Sequence, residues 1–407
     1  MHHRSASRTT GEASEKVRGR RKVPLRSVRA RKADRGITVF AVSPPGFEDL
    51  VEAELRSLGL GTRREAGGVG FTGSWPDVYR VNLQSRVASR VLVRVAEFPA
   101  ETFPALEKGL AAVAWDVWLP HGAAVDLRAA KHRTRLYHTG KVAEVALGVL
   151  AKVLGARPAG DETDAHRLLL RIDGPRVTVS LDTSGAHLHR RGYRVEAGPA
   201  PLRETLAAGL LLRARWDAAE PLLDPFCGSG TFPIEAALLS LRIPPGRGRA
   251  FAFERLPGFQ ADAWSAAQAE AEGCVLAGLP APVFGSDQDP RAVALAARSA
   301  RRAGLADHVQ VAVADVTELE APAGSGLLVA NPPYGLRLAG ERSALRSLGT
   351  ALRGPFAGWR WAVVAAGADR RAERELGLPG GERLPFRSGG LRLQWVMGEA
   401  CEAEGGS

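Results

Sequence analysis

Cysteine is scarce: Cys227, Cys274 and Cys401 are the three in 407 residues, and none forms a Cys-x-x-Cys pair. Their odd number and wide spacing exclude a disulfide scaffold and argue against a cysteine zinc site, so a reducing cytoplasm is the expected compartment. Long apolar runs are missing too. No stretch approaches the roughly 18–20 residues that a membrane helix needs, which excludes an integral helical membrane protein. No apolar segment follows the N-terminal charges, so nothing there reads as a secretory signal. Lysine is rare in the body of the chain, with four after residue 36. What is present is an ordinary globular composition, 45% hydrophobic and 24% charged. That excludes a fibrous or mostly disordered chain and, at roughly 150 residues per domain, leaves material for two to three domains.

The net charge of +11 is concentrated at one end. Residues 1–36 hold 12 Lys or Arg against Glu12, Glu15 and Asp34, a net of +9, and everything after them contributes +2. The segment has almost no apolar periodicity. It reads as a disordered basic tail suited to polyanions, with a merely solvating extension as the alternative. Order is expected from Ile37-Thr-Val-Phe-Ala-Val42, a β-rich run. Phe47, Val51, Leu55 and Leu58 then follow at helical spacing, closed by Gly59. Short strands and helices to about residue 185 predict a small α+β region. After Gly198-Pro-Ala-Pro201 the pattern changes. Strand-like runs ending at Asp224, Gly285, Val313, Ala330 and Ala365 alternate with Ala-rich helical stretches at 231–241, 260–278 and 290–303. Such alternation predicts an α/β fold with a doubly wound parallel sheet.

The chemistry gathers at the ends of these strands. Asp224-Pro-Phe-Cys-Gly-Ser-Gly-Thr231 lies between a strand and a helix, and Gly228 and Gly230 permit a tight turn close to a ligand. The motif is neither Gly-x-Gly-x-x-Gly nor a P-loop. Its opening acid suits a ligand with a cationic amino-acid end better than one with phosphates. Asp287, directly after the second strand, can accept hydrogen bonds from ribose hydroxyls, and Asp315, after the third, can take an adenine amino group. One acid at a strand end is ordinarily a cap; three in register describe a nucleoside pocket. The interval from Asp224 to Asp287 far exceeds the roughly 20 residues of a simple dinucleotide unit, so an insertion is expected around 243–253.

Asn331-Pro-Pro-Tyr334-Gly335 closes the fourth strand. Its prolines hold the backbone extended. The Asn331 side-chain oxygen and the Pro332 carbonyl can then accept both hydrogens of a planar amino group, freeing its lone pair for an electrophile. Tyr334 offers a face on which an extruded base can stack.

Residues 224–231, 285–290 and 331–335 resemble the motifs of class I S-adenosylmethionine-dependent amino-methyltransferases. Ser180–Gly185, Leu188-His-Arg-Arg-Gly-Tyr-Arg194, Pro201–Leu206, Pro245-Gly and Phe251-Ala-Phe-Glu254 add a resemblance to THUMP-containing RNA guanine-N2-methyltransferases. Among these the chain is most similar to the bacterial enzymes, or enzyme halves, that act on 23S rRNA. The resemblance implies a Rossmann-like methyltransferase domain over 201–400, a ferredoxin-like part over 37–76, a THUMP RNA-binding domain over 77–185 and a linker over 186–200. It assigns Asp224, Phe226, Gly228, Gly230 and Thr231 to the methionine end of S-adenosylmethionine, Asp287 to its ribose, and Asp315 with Val316 to its adenine. Asn331, Pro332, Pro333 and Tyr334 would hold the target amine. A long insertion after the first helix is a feature of the family.

The front half is then expected to read RNA. No acid stands between Asp126 and Glu144, while Arg128, Lys131, Arg133, Arg135 and Lys141 interleave with His132, Tyr137 and His138. Arg190, Arg191 and Arg194 form a second basic stretch near the linker. A solvated helical face is the plainer alternative for the first stretch. His187 and His189 lack a local carboxylate or cysteine to complete a metal site, so no metal is expected. Asn-Pro-Pro-Tyr also serves DNA adenine-N6 and protein glutamine-N5 methylation, and the basic front half favours RNA over both. A tRNA target and an RNA-remodelling assembly factor with secondary catalysis stay open. Removing residues 1–36 is expected to lower RNA affinity and flatten its salt dependence, since each phosphate contact releases counterions. Binding titrations across a salt series test this, and identical slopes for the full and truncated proteins would remove the tail from RNA binding.

Overall fold

A computed structural model describes residues 36–399 except 137, 163, 195–201, 334–337, 368–369 and 379–380. The basic tail, apart from Gly36, and most of the 186–200 linker therefore lie outside the described residues, as does Tyr334. Residues from Ile37 onward form one compact unit built on two sheets.

The first sheet holds β1 (Ile37–Val42), β2 (Thr62–Glu65), β3 (Gly68–Gly73), β4 (Arg90–Pro99), β5 (Ala124–His132), β6 (Arg157–Pro158), β7 (His166–Asp173) and β8 (Arg176–Asp182). Their order is β2-β3-β1-β4-β8-β7-β5-β6. The β-branched run 37–42 pairs antiparallel with β3 on one side and β4 on the other, and Val39 and Ala41 point into the core. Helix Trp75–Gln84 starts on a capping box in which the Ser74 amide donates to Asp77 Oδ2 at 2.8 Å. The boundary expected at 76/77 falls inside this helix, so the structure has no break there. The reason is β4: it is central, pairing with β1 of the front part and with β8 of the following part, so one sheet runs through both.

The second sheet holds β9 (Leu222–Asp224), β10 (Val283–Asp287), β11 (Val309–Val313), β12 (Leu327–Ala330), β13 (Arg360–Ala366), β14 (Glu382–Ser388) and β15 (Leu391–Glu399). Its order is β11-β10-β9-β12-β13-β15-β14, parallel from β11 to β13 with the β14–β15 hairpin joined antiparallel. The chain moves outward from β9 to β11 and returns on the other side of β9 as β12. This creates a topological switch point, and ligands bind outside the carboxyl ends of the strands at such a place. β12 reads Leu-Leu-Val-Ala and is buried at every residue, as a strand covered on both faces must be. The doubly wound expectation holds, with the C-terminal hairpin as an addition that strand–helix alternation did not signal.

The expected insertion is present, and it faces the first sheet's helices. Phe253 donates its amide to Thr183 O at 3.0 Å, Gly246 to Leu83 O at 2.9 Å, and Gln260 to the Tyr79 hydroxyl at 3.0 Å. The fully buried Tyr79 ring lies 4.6 Å from Phe253, 5.9 Å from Phe259 and 6.0 Å from Trp264. One hydrophobic cluster accordingly runs from Val39 through Tyr79 and Phe253 to Trp395.

A buried charge cluster joins the same parts. Glu235, in helix Thr231–Ser240, is completely buried and faces Arg191, whose Nη2 lies 3.4 Å from its Oε2. Tyr193 donates its hydroxyl to Glu235 Oε1 at 3.1 Å, and Arg191 donates further to the carbonyls of Leu188 and Arg86. Removing one partner strands a charge in the interior, at a cost of about 3–5 kcal/mol. Arg191→Met is thus expected to destabilise the protein by that order in denaturant unfolding. Adding Glu235→Gln, which removes the stranded charge, should recover part of the loss, and additive losses would mean the two residues are not coupled.

Candidate active site

The carboxyl edge of the second sheet brings the expected residues together. Asp224 ends β9 and pairs in register with Gly285 of β10, so Asp287 stands just beyond it on the neighbouring strand. Asp224 is 2% exposed and accepts one hydrogen bond, from the Phe226 amide at 3.0 Å. Burial pushes its carboxyl well above the usual carboxylate range, and the negative charge of Asp287 beside it pushes the same way. A cation placed against Asp224 would reverse that shift, so the site favours an ammonium group.

The glycine turn is held by its own backbone and by β10. Cys227 donates its amide to Ser286 O at 2.9 Å, and Gly230 donates to Cys227 O at 2.8 Å. Both glycines are left-handed, Gly228 at φ 53° and Gly230 at φ 83°. A Cβ at Gly230 would come within 3.1 Å of the Ala296 side chain, whereas at Gly228 it would meet nothing within 4 Å. Gly230 is therefore needed for packing as well as for its φ, while Gly228 borders open space. Cys227 is buried against Gly285, and burial raises its thiol well above the usual range, so it packs rather than attacks.

Asp287 is engaged at both oxygens: Oδ2 accepts the Gly228 amide and Oδ1 the Asp289 amide, each at 3.0 Å. It shapes the turn, and a carboxylate still has lone pairs left for ribose hydroxyls. Asp315 Oδ1 accepts both the amide and the hydroxyl of Thr317, at 2.9 and 2.7 Å, which holds its carboxyl below the usual range. It caps the short turn Val316–Glu318, where Val316 is buried. After β12, Pro332 is buried and Pro333 exposed. Among the described residues, the Asn331 Oδ1 atom is shielded from water and has no hydrogen-bond partner. A buried acceptor left in this way calls for a ligand donor.

The basic residues divide. Arg128, Lys131, Arg133, Arg135 and Lys141 are all exposed along the end of β5, the following loop and the start of helix Thr139–Leu154. Three of them share carboxylates: Arg128 with Asp126, Arg135 with Glu101, and Lys141 with Glu144. Arg190 is also exposed. Arg191 and Arg194 are not available to RNA. Arg191 is buried on Glu235, and Arg194 donates to Glu204 Oε1 at 2.9 Å, Leu202 O at 2.8 Å and Thr231 Oγ1 at 3.1 Å. Their assignment as RNA contacts is corrected: the acids that pair with them lie further along the chain, out of view of a local charge count. Sequence reasoning also passed over Glu235, although a single acid in the otherwise apolar helix Thr231–Ser240 signals a paired, buried charge. Arg249 was missed too. It emerges from the insertion and donates to the carbonyls of Ala186 at 2.7 Å and His187 at 3.1 Å, fixing the path into the linker. Among the described residues no group of His, Cys, Asp and Glu could hold a metal ion, and no helix is long and apolar enough to cross a membrane.

The strand order, the reversal at β9, the acids at three strand ends and the orphaned asparagine acceptor together define a class I S-adenosylmethionine-dependent methyltransferase. Residues 191–385 match the family described as RMKL-like, methyltransferase domain, and residues 38–92 match the RlmL ferredoxin-like domain. The chain is 40% identical over 390 residues to the ribosomal RNA large subunit methyltransferase K/L of Syntrophotalea carbinolica, covering 91% of this chain and 54% of that protein. It therefore spans about half the length of such K/L relatives. It is 34% identical to YpsC of Bacillus subtilis (strain 168), a protein provisionally named as an RNA methyltransferase, covering 76% of this chain and 82% of YpsC. A methyltransferase structure solved with S-adenosylhomocysteine superposes with a TM-score of 0.81 at 28% identity, covering 92% of this chain and all of that one. The chain belongs to the RMKL-like methyltransferase family, and its cofactor is S-adenosylmethionine.

Replacing Asp287 with Ala removes two turn contacts and, with them, the acceptor expected for the cofactor's ribose. Hydrogen bonds to a charged group contribute about 1.5–3 kcal/mol each, so cofactor affinity is expected to fall about tenfold or more. Calorimetry on the folded variant checks this, and an unchanged Kd would remove Asp287 from the cofactor site.

Proposed function

We propose that the chain methylates the exocyclic N2 amine of a guanine in structured RNA, with 23S rRNA or its precursor as the substrate. The observation that carries the reading is the unpartnered Asn331 Oδ1 at the end of β12, beside the buried Pro332. S-adenosylmethionine supplies an electrophilic methyl group when bound. Asn331 Oδ1 and the Pro332 carbonyl accept the two amine hydrogens, leaving the nitrogen lone pair free. Asn331 takes no proton itself; it positions and polarises. Asp224 holds the cofactor's ammonium, Asp287 its ribose, and Asp315 with Val316 its adenine. Phe226, Gly228, Gly230 and Thr231 frame the methionine end. The N2 group lies on the minor-groove edge of a paired base, so the guanine must be unpaired or extruded before Asn331 can reach it.

An RNA substrate is supported by the exposed basic stretch from Arg128 to Lys141 with Arg190. The names of the K/L relatives and of YpsC support it too. The K/L names favour large-subunit rRNA over tRNA.

Asn331→Ala is expected to lower kcat by about a hundredfold or more while cofactor Kd stays within about twofold, because the lost acceptor acts on the substrate amine. Near-normal turnover would end the acceptor role. The product is tested by incubating the purified protein with cofactor and unmodified 23S rRNA or tRNA, then analysing nucleosides by mass spectrometry. N2-methylguanosine in 23S rRNA is the expected result. Modified tRNA with unmodified rRNA would transfer the assignment to tRNA, and N6-methyladenosine would overturn the base assignment. Tight RNA binding without any methyl transfer would favour an assembly factor.

A further inference from the structure

Arg194 is held at two of its three guanidinium nitrogens. Its Nε donates to Glu204 Oε1 at 2.9 Å, and its Nη2 donates to Leu202 O at 2.8 Å and to Thr231 Oγ1 at 3.1 Å. The remaining nitrogen, Nη1, is shielded from water and has no partner among the described residues. A guanidinium N–H left unsatisfied in the interior costs more than a neutral donor in the same position. Arg80, Arg86, Arg213 and Arg371 each keep such a nitrogen as well, so what singles out Arg194 is its position beside the glycine turn. Its place is informative. Thr231 is the first residue of helix Thr231–Ser240, directly after the left-handed Gly230, so Arg194 sits against the helix N-terminus that borders the glycine turn.

One feature of this corner favours an anion, and two others bear on where it would sit. Amides in the first turn of a helix have no intrahelical acceptor and carry positive partial charge. The Glu204 carboxylate is occupied on the Nε edge of Arg194, away from Nη1. Asp224, on the other side of the same turn, is suited to a cation. A zwitterion with one end of each sign would satisfy both, and the methionine end of the cofactor is one.

We propose that Arg194 anchors the α-carboxylate of S-adenosylmethionine through Nη1, opposite the ammonium held by Asp224. The assignment rests on the cofactor reading of the glycine turn and deepens it. Arg194 then discriminates cofactors carrying the free amino-acid carboxylate from nucleosides that lack it. Glu204 acts as a positioning residue that fixes the guanidinium plane, and Thr231, which frames the methionine end, holds the same guanidinium through its hydroxyl.

The test is calorimetry on the full-length protein with S-adenosylhomocysteine and with 5′-methylthioadenosine, which keeps the nucleoside and thioether and lacks the amino acid. Arg194→Met is expected to weaken S-adenosylhomocysteine about tenfold to a hundredfold, the range of a charge-assisted hydrogen bond, while 5′-methylthioadenosine changes less than about twofold. Arg194→Lys should recover part of the loss. Equal losses for both ligands would show a purely structural role, and unchanged S-adenosylhomocysteine affinity in a folded variant would also overturn the proposal. If Arg194→Met does not fold, the unaltered protein is titrated with the methyl ester of S-adenosylhomocysteine. Weaker binding of the ester by about tenfold supports the anchor, and equal binding overturns it. Failure of the unaltered protein to bind either nucleoside ligand would be a different result, removing the cofactor reading and the anchor with it.

Discussion

A glutamate with no access to water organises the junction of this molecule. Glu235 lies in the helix that follows the glycine turn, and its partners Arg191 and Tyr193 come from the segment that enters the catalytic half. Arg191 then reaches a carbonyl at Arg86, between the helix Trp75–Gln84 and strand β4. A carboxylate in such a place is tolerated only with its partners present. The front sheet, the connecting segment and the first helix of the cofactor-binding sheet are therefore tied together in the folded protein. Since that helix begins at Thr231, directly after Gly230, the glycine turn is located by contacts reaching into the other half of the chain.

This has a bearing on how substrate and cofactor meet. The basic surface on β5 and the crevice at the β9–β12 switch point belong to one compact unit, tied by the aromatic packing around Tyr79 as well as by Glu235. On the proposed function, the distance from RNA held on one to a base presented to Asn331 would thereby be restricted, and part of the orientational cost of presenting the amine would be met by the fold itself.

The catalytic half was the more legible part of the sequence, for a geometric reason. In a parallel sheet the residue after each strand always emerges at the same edge, so Asp224, Asp287, Asp315 and Asn331 could be placed together from strand endings alone. Burial of charge was not legible in the same way. Arg191 and Arg194 look like Arg190 in a string of basic residues, and the acids that bury them are 44 and 10 residues distant. Nor could a boundary at residue 77 be judged from local patterning, because strand β4 is shared between pairings that lie far apart in the chain. The C-terminal hairpin escaped for a different reason: strands 382–388 and 391–399 pair locally, with no helix between them to mark a repeat of the βα pattern.

The insertion between β9 and β10 gives the catalytic half a face that makes sense only beside its neighbour. Phe253, Phe259 and Trp264 surround a tyrosine contributed by the first sheet's helix. Severed near residue 200, the second half would present these rings to water as a contiguous apolar patch, the kind of surface that drives association. The methyltransferase sheet in this protein is consequently not a portable module. Cutting the chain between the two halves would expose this apolar surface and cost the second half its solubility before its catalysis could be measured.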